Sequence, residues 1–248
     1  MTATHIVIPC FNEAERFSSV QAQALLEDHN LHIVLVDDGS TDNTVEVLRG
    51  LSDAYPEQVK IVELAVNVGK AEAVRQGMLA ALESGAAVTG YLDADFATPA
   101  AEMKRLIQIL HADDDIEVLL GARWLHLGAD IERRPLRHYG GRIFATFASM
   151  VLNLQVYDTQ CGAKLFRNSS ALKVALGAKF VSKWAFDVEL IGRLRLQLAT
   201  TAFREIPLYK WVDVAGSKIS FFDMIRATLA LLQIRRALIA FRRATRTS

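Results

Sequence analysis

The sequence predicts an α/β fold, a mostly parallel sheet with helices on both faces. Three observations predict it. Short apolar runs alternate with amphipathic stretches through the first half, the connections between them are short, and polar side chains collect where the apolar runs end.

The elements follow in order. HIVIP (5–9), HIVLVD (32–37), VKIVEL (59–64), AVTGYL (87–92) and EVLLGA (117–122) read as strands, and 13–28, 42–54, 70–84 and 99–112 carry helical periodicity between them. Thr98-Pro99 reads as a helix start, a hydroxyl at the N-cap and proline in the first turn. In the second half, 138–154 and 184–198 read as helices, DTQCGAKLF (158–166) as a loop entering a strand, 201–206 and 208–212 as strands, and about 220–243 as a last helix. In a parallel sheet covered on both faces, ligands sit at the carboxyl ends of the strands. Those ends read PCFNE (9–13), VDDGSTDNT (36–44), NVGK (67–70), LDAD (92–95) and GAR (121–123).

With 248 residues, 51% of them hydrophobic, the chain suits one large domain. Its 28 basic and 28 acidic residues argue against a nucleic-acid binder. Cys10 and Cys161 have neither a disulfide framework nor metal-ligand spacing, which points to a reducing cytosol and to packing roles. The opening HIVIPC (5–10) has no basic n-region, so no signal peptide is expected, and no uncharged apolar run reaches the roughly 18 residues a bilayer requires.

The chemistry begins at Asp93 and Asp95. In an extended chain residues i and i+2 point the same way, so two like charges face one another. Such a pair raises its pKa or takes a cation, and Mg²⁺ or Mn²⁺ accepts one or two carboxylates plus phosphate oxygens. A solvated turn is the bland alternative; the position among other polar strand ends favours a metal–diphosphate site. VDDGSTDNT supplies a helix cap, and beyond that a second acid, so that a carboxylate of Asp37 or Asp38 can accept from a nucleobase or ribose. Neither G-x-G-x-x-G after the first strand nor G-x-x-x-x-G-K-[ST] occurs. The diphosphate then falls to the metal and to Lys70.

Taken together, VIPCFNEAERF, VDDGSTDNT, NVGKAEAVRQG and LDAD resemble the inverting glycosyltransferases of family 2, which have the GT-A fold. DTQCGAKLF, KWAFDVELI (183–191) and GSKIS (216–220) resemble its dolichyl-phosphate β-glucosyltransferase branch and the bacterial polyprenyl-phosphate relatives. The resemblance implies a GT-A domain over 1–218, with a nucleotide-sugar and metal half (about 1–125), an acceptor half (about 126–218), and an appended helix at 219–248. It implies that Pro9, Asn12 and Glu13 line the nucleotide pocket, that Asp38 binds the uracil or ribose end, that Lys70 sits near the nucleotide, and that Asp93 and Asp95 hold the divalent ion. Arg123, Asp158, Gln160 and Lys164 would lie near the sugar and acceptor phosphate, with Trp184, Asp187 and Glu189 completing the acceptor side. Glu72, close to Lys70, would face away from the diphosphate. Ala163 stands where the glucosyl enzymes usually have phenylalanine.

The implied reaction moves a hexose, glucose from UDP-glucose first among them, to a polyprenyl or dolichyl phosphate. GDP-mannose, a soluble saccharide acceptor or a non-catalytic nucleotide-sugar sensor stay open as alternatives. Asp95, Asp187 and Arg123 are the expected catalytic groups. A hydroxyl acceptor needs a base, for which Asp187 is the candidate; a lipid phosphate, already anionic near neutral pH, needs cations instead. Arg123, Arg133, Arg134, Arg137 and Arg142 supply them. Residues 219–246 mix large apolar groups with arginines, a basic amphipathic helix suited either to an anionic membrane surface or to packing on the domain or a second subunit. The expected setting is cytoplasmic and peripheral, at the inner face of a membrane; a homo-oligomer is compatible with the sequence.

Overall fold

The computed structural model describes residues 3–131, 135–212 and 221–245; the side chains of 135–140 and 221–228 fall outside that description, as does the GSKIS stretch. A seven-stranded sheet forms the centre, in the order β3-β2-β1-β4-β7-β5-β8. Its strands are β1 (Thr4–Cys10), β2 (Leu31–Asp37), β3 (Val59–Glu63), β4 (Val88–Leu92), β5 (Val118–Ala122), β7 (Ala163–Arg167) and β8 (Phe203–Pro207). All run parallel except β7, which lies antiparallel between β4 and β5. The five strands of the first half therefore end on one rim, as the sequence expects, and strands from both halves share one sheet. A two-residue pair, β6 (Asp130–Ile131) with β9 (Lys210–Trp211), stands apart.

Alternation along the strands builds two cores. Ile6 and Ile8 on β1, Ile33 and Leu35 on β2, and Leu165 on β7 face one side, under α1 (Ser19–Leu26), α2 (Thr44–Ala54) and α4 (Ala100–Ala112). Val7, Val34, Tyr91 and Phe166 face the other, under α3 (Lys70–Glu83), α5 (Pro135–Leu152), α6 (Ser170–Leu176), α7 (Phe186–Arg195) and α8 (Phe221–Ala244). Helix α3 lies close on the sheet because Gly77 has no Cβ, which would stand 2.3 Å from Val7 and 2.7 Å from Val36. That close seat points the first turn of α3, with Lys70, at the rim.

Two helix starts differ from expectation. Helix α1 begins at Ser19 rather than near 13, because Ser18 caps it through the Gln21 amide and Glu13–Phe17 form a turn instead. Helix α4 begins at Ala100 with Pro99 at the cap and no bond from Thr98; the Ala100 amide donates to the Gln21 side chain at 2.9 Å. Helix α8 matches the expected span, but it is docked along one face. Leu231, Ile234 and Leu238 are buried in the second core, each burial contributing roughly 1.5–3 kcal/mol. Its outer face leaves Leu229, Leu232 and Ile239 exposed among Arg235, Arg236 and Arg242.

Candidate active site

The rim gathers the charged residues named from the sequence. Asp93 and Asp95 follow β4 and are both half-buried. The Lys70 ammonium lies 2.5 Å from Asp93 Oδ1. Burial opposes ionisation of Asp93, and Lys70 overcomes it, so its carboxyl is held below the usual aspartate range. Asp95 goes the other way: burial first, then the charge of Asp93, push it up. Lys70 is itself held above the usual lysine value, because Asp93 outweighs the desolvation.

Asp93 is seated by its neighbours. Its amide donates to the Gly162 carbonyl at 3.1 Å, and a Cβ on Gly162 would stand 2.0 Å from Asp93 Oδ2. Gly162 is therefore required for the position of Asp93, a close approach of backbone to side chain that only glycine permits. It was not singled out from the sequence. The signal available there was a glycine at the entry to a strand.

The nucleotide-side residues form the floor. Pro9 ends β1. Asn12, at φ 52°, accepts from the Thr41 amide at 2.8 Å, while its own amide donates to Ser40 Oγ at 3.0 Å, tying the first rim loop to the second. Asp37 is buried and accepts from the Ser40 amide. Asp38 is buried too, and its two oxygens accept from the amides of Val68 and Gly69, both at 2.8 Å. Expected to face a nucleobase or ribose, Asp38 instead braces the NVGK loop that delivers Lys70. Glu13 pairs with Arg16 at 2.6 Å, yet its Oε2 is buried with no partner among the described residues, and burial raises its carboxyl. Glu72 faces away from Asp93, toward Arg75 and Gln76, in agreement with the sequence reading.

A second ionic network lies beneath the rim. Lys164 on β7 sits opposite Tyr91 on β4 and is 0% exposed. Its ammonium donates to Asp187 Oδ1 at 2.7 Å and to the Cys161 carbonyl at 2.5 Å, and the Tyr91 hydroxyl donates to the same Asp187 oxygen. Asp187 lies in the first turn of α7, where the helix dipole favours a carboxylate. These contacts correct two expectations. Lys164, expected near the sugar and acceptor phosphate, is wholly buried here, and Asp187, which the sequence left as either a base or a paired structural carboxylate, is its buried ion-pair partner. Glu189 is likewise no acceptor-side group: it is fully buried, pairs with Arg193 at 2.6 Å and accepts from the Val181 amide at 2.8 Å. Ala163 lies wholly inside the first core, on β7.

Arg123, after β5, forms a two-point pair with Asp158, Nε to Oδ2 at 2.6 Å and a terminal nitrogen to Oδ1 at 2.8 Å. Burial opposes its charge, but Asp158 outweighs this and raises it further. The Gln160 amide donates to Asp158 Oδ1, and Glu205 on β8 accepts from the amides of Tyr157 and Asp158 at 2.8 and 2.7 Å. Glu205 was not foreseen. The small β6–β9 pair brings Trp211 to within 5.3 Å of the Arg123 guanidinium. Trp184 is exposed and packs edge-on against Phe144 at 5.4 Å. Arg133, Arg134 and the side chain of Arg137 lie outside the described residues. Both cysteines are buried; burial, then Asp158, pushes the Cys161 thiol up to about 11, which rules out a ready nucleophile.

Whether these residues fit a divalent ion can be judged from the rim itself. Asp93, Asp95 and Glu13 crowd three carboxylates near Lys70 and Arg16, with Asp95 raised by its neighbour and Glu13 Oε2 unpartnered. Among the described residues no cluster of three or more His, Cys, Asp or Glu is arranged to hold a metal alone. The fit is to an ion that takes the Asp93–Asp95 doublet on one side and oxygens of a bound ligand on the other.

The family model described as glycosyl transferase family 2 matches residues 5–174. This chain belongs to glycosyltransferase family 2. It is similar to the dolichyl-phosphate beta-glucosyltransferase of Drosophila melanogaster, 32% identical over 240 residues that cover 88% of this chain and 69% of the relative. The enzyme of the same name from Saccharomyces cerevisiae is 32% identical over 263 residues, covering 94% of this chain and 74% of the relative. Among solved structures, glucosyl-3-phosphoglycerate synthase from Mycobacterium tuberculosis, in complex with Mn²⁺, UDP and glucosyl-3-phosphoglycerate, superposes with a TM-score of 0.68 at 17% identity, covering 94% of this chain and 80% of that one. At that identity the likeness establishes the GT-A-like fold. The family 2 membership makes the chain a glycosyltransferase, and the rim described above is its candidate active site. No helix among the described residues is long and apolar enough to cross a membrane.

Proposed function

We propose that this glycosyltransferase moves glucose from UDP-glucose to a polyprenyl or dolichyl phosphate, inverting the anomeric carbon, with a divalent ion on the donor diphosphate. The observation that carries the donor half is the Asp93–Asp95 doublet at the carboxyl end of β4, with Lys70 at 2.5 Å and excess negative charge around it. The acceptor half draws on the likeness to enzymes named dolichyl-phosphate beta-glucosyltransferase along nearly the whole chain.

In this reading Asp93 and Asp95 would hold the ion, which when bound would supply Lewis-acid charge stabilisation on the leaving-group side. Lys70, at the N-terminus of α3, adds a fixed positive charge on the same side. Asp38 keeps the Lys70 loop in place, and the Asn12–Thr41 bond closes the floor beneath the nucleotide. Arg123, aimed by Asp158 and Glu205, steadies the anionic acceptor. No side chain has to remove a proton, because a phosphate monoester has a second pKa of about 6 and attacks as an anion. This agrees with an Asp187 already committed to Lys164 and Tyr91. The exposed face of α8, with Leu229, Leu232 and Ile239 among arginines, lies against an anionic cytoplasmic leaflet and brings the rim to its lipid substrate.

A panel of labelled UDP-glucose, GDP-mannose and other sugar nucleotides, incubated with polyprenyl phosphate and extracted into organic solvent, tests the proposal. Label entering the organic phase from UDP-glucose is the expected result. Label that stays aqueous for every donor, or enters from GDP-mannose alone, rejects it.

A further inference from the structure

Immediately beside the Arg123–Asp158 pair lies a cavity of about 940 Å³, between α5 and the sheet edge formed by β5 and β8. It is an open groove whose volume falls within the range of ligand sites, about 300–1,000 Å³. Trp124 and Tyr157, the chain neighbours of Arg123 and Asp158, line it with their rings stacked at 5.3 Å. Arg142 caps that stack, its guanidinium 3.8 Å from the Tyr157 ring centre and donating to the Tyr157 carbonyl at 2.9 Å. Leu120, Leu154 and Phe203 line the wall. The outer lip is Met150, 73% exposed. Met150 is the last of three exposed apolar residues on α5, Ile143, Phe147 and Met150, which at spacings of four and three form one stripe along the helix.

The geometry points to this cavity as the berth for the first isoprene units of the acceptor, with the phosphate at the Arg123–Arg142 end and the chain leaving past Met150 to the bilayer. The inference rests on the proposed lipid-phosphate acceptor and adds where its hydrocarbon goes. Two observations select this occupant. The first is charge. The acid on the cavity wall, Glu205, has its oxygens committed to the Tyr157 and Asp158 amides, so the charge the lining offers an incoming group is that of Arg142 and Arg204, with Arg123, paired to Asp158, next in the chain to Trp124. Leu120, Leu154, Val156 and Phe203 offer an apolar tail contacts that a soluble sugar acceptor makes no use of, while Ser149, Asn153, Gln155 and Thr200 line the rest of the cavity. The second is continuity. Tyr157 and Glu205 line the cavity, and Glu205 also holds the amide of Asp158, the partner of Arg123, so a chain seated there bears on the group that steadies its own phosphate. At the other end, the cavity opens at the exposed apolar stripe, a surface of the kind that meets lipid.

The test is the dependence of KM on acceptor length, measured with labelled UDP-glucose and isoprenyl phosphates of five, ten and twenty carbons. The wild-type KM falls roughly tenfold or more along that series, because added methylenes leave water. Thr146→Trp, on the exposed surface of α5 and lining the cavity, and Met150→Trp at its lip, compress the ratio between the shortest and longest acceptor to within about twofold. The ratio is the readout, so a general loss of activity does not imitate the result, and the second substitution serves if the first fails to fold. A wild-type ratio retained in both folded variants overturns the assignment, as does equal use of all three lengths by the wild type; in either case the acceptor class stands. If no isoprenyl phosphate is glucosylated while another acceptor is, the proposed function fails with it. A retained ratio together with self-association of the wild type in sedimentation that both substitutions abolish assigns the cavity to a second copy of this chain instead.

Discussion

Two ionic clusters lie two residues apart along the end of β4, and they differ in what completes them. Around Tyr91 the charges are closed: Lys164 and Asp187 are buried against each other, with the Tyr91 hydroxyl and the Cys161 carbonyl using their remaining valences. Around Asp93 the charges are open. Lys70 answers one carboxylate, Asp95 is raised by burial and by the other, and Glu13 keeps a buried oxygen with no partner among the described residues. A closed cluster fixes the shape of the chain, and an open one waits for a ligand. The same residue types serve both ends, so burial and partners distinguish them, not identity.

The largest effect expected from this contrast is on the closed side. Lys164→Met leaves Asp187 charged and buried without its cation, which costs about 3–5 kcal/mol of folding stability. Chemical denaturation measures it, and adding Asp187→Leu recovers much of the loss. A single variant as stable as the wild type would mean the cluster is not closed. Next comes the seat of the open cluster. Gly162→Ala pushes a methyl into Asp93 and lowers kcat about 100-fold, the scale of a 1 Å misplacement at a reacting centre. Unchanged turnover would show that the position of Asp93 does not matter. The smallest effect concerns the open charges on the outer face of α8. Arg236→Glu weakens binding to anionic vesicles by about 1 kcal/mol or somewhat more, read by flotation at physiological salt, with no change in melting temperature. Equal flotation would detach that face from the membrane.

Much of this was legible in the sequence. Short continuous apolar runs and short connections pointed to β1 to β5 and their common rim, because β1, β2, β4 and β5 are buried on both faces. The doublet at Asp93 and Asp95, with Lys70, was found because like charges at i and i+2, at the end of a buried strand, repel unless a cation sits between them. What was not legible depends on distant pairing. That β7 enters antiparallel between β4 and β5 is decided by register, Tyr91 against Lys164, and no local signal carries it. For that reason Lys164 and Asp187 read as substrate groups in the sequence and prove to be each other's partners. Glu205 was missed because its role lies in two backbone amides almost fifty positions away. The pair β6–β9 is two residues per strand, too short for periodicity to register.

The most direct test is calorimetric titration of Mn²⁺ into the protein, with and without UDP, for the wild type and for Asp95→Asn. One Mn²⁺ taken up per chain in the presence of UDP, weak uptake in its absence, and loss of the UDP-dependent uptake in the variant is the result expected of an open doublet. Uptake of Mn²⁺ and UDP by Asp95→Asn with wild-type affinity would contradict it.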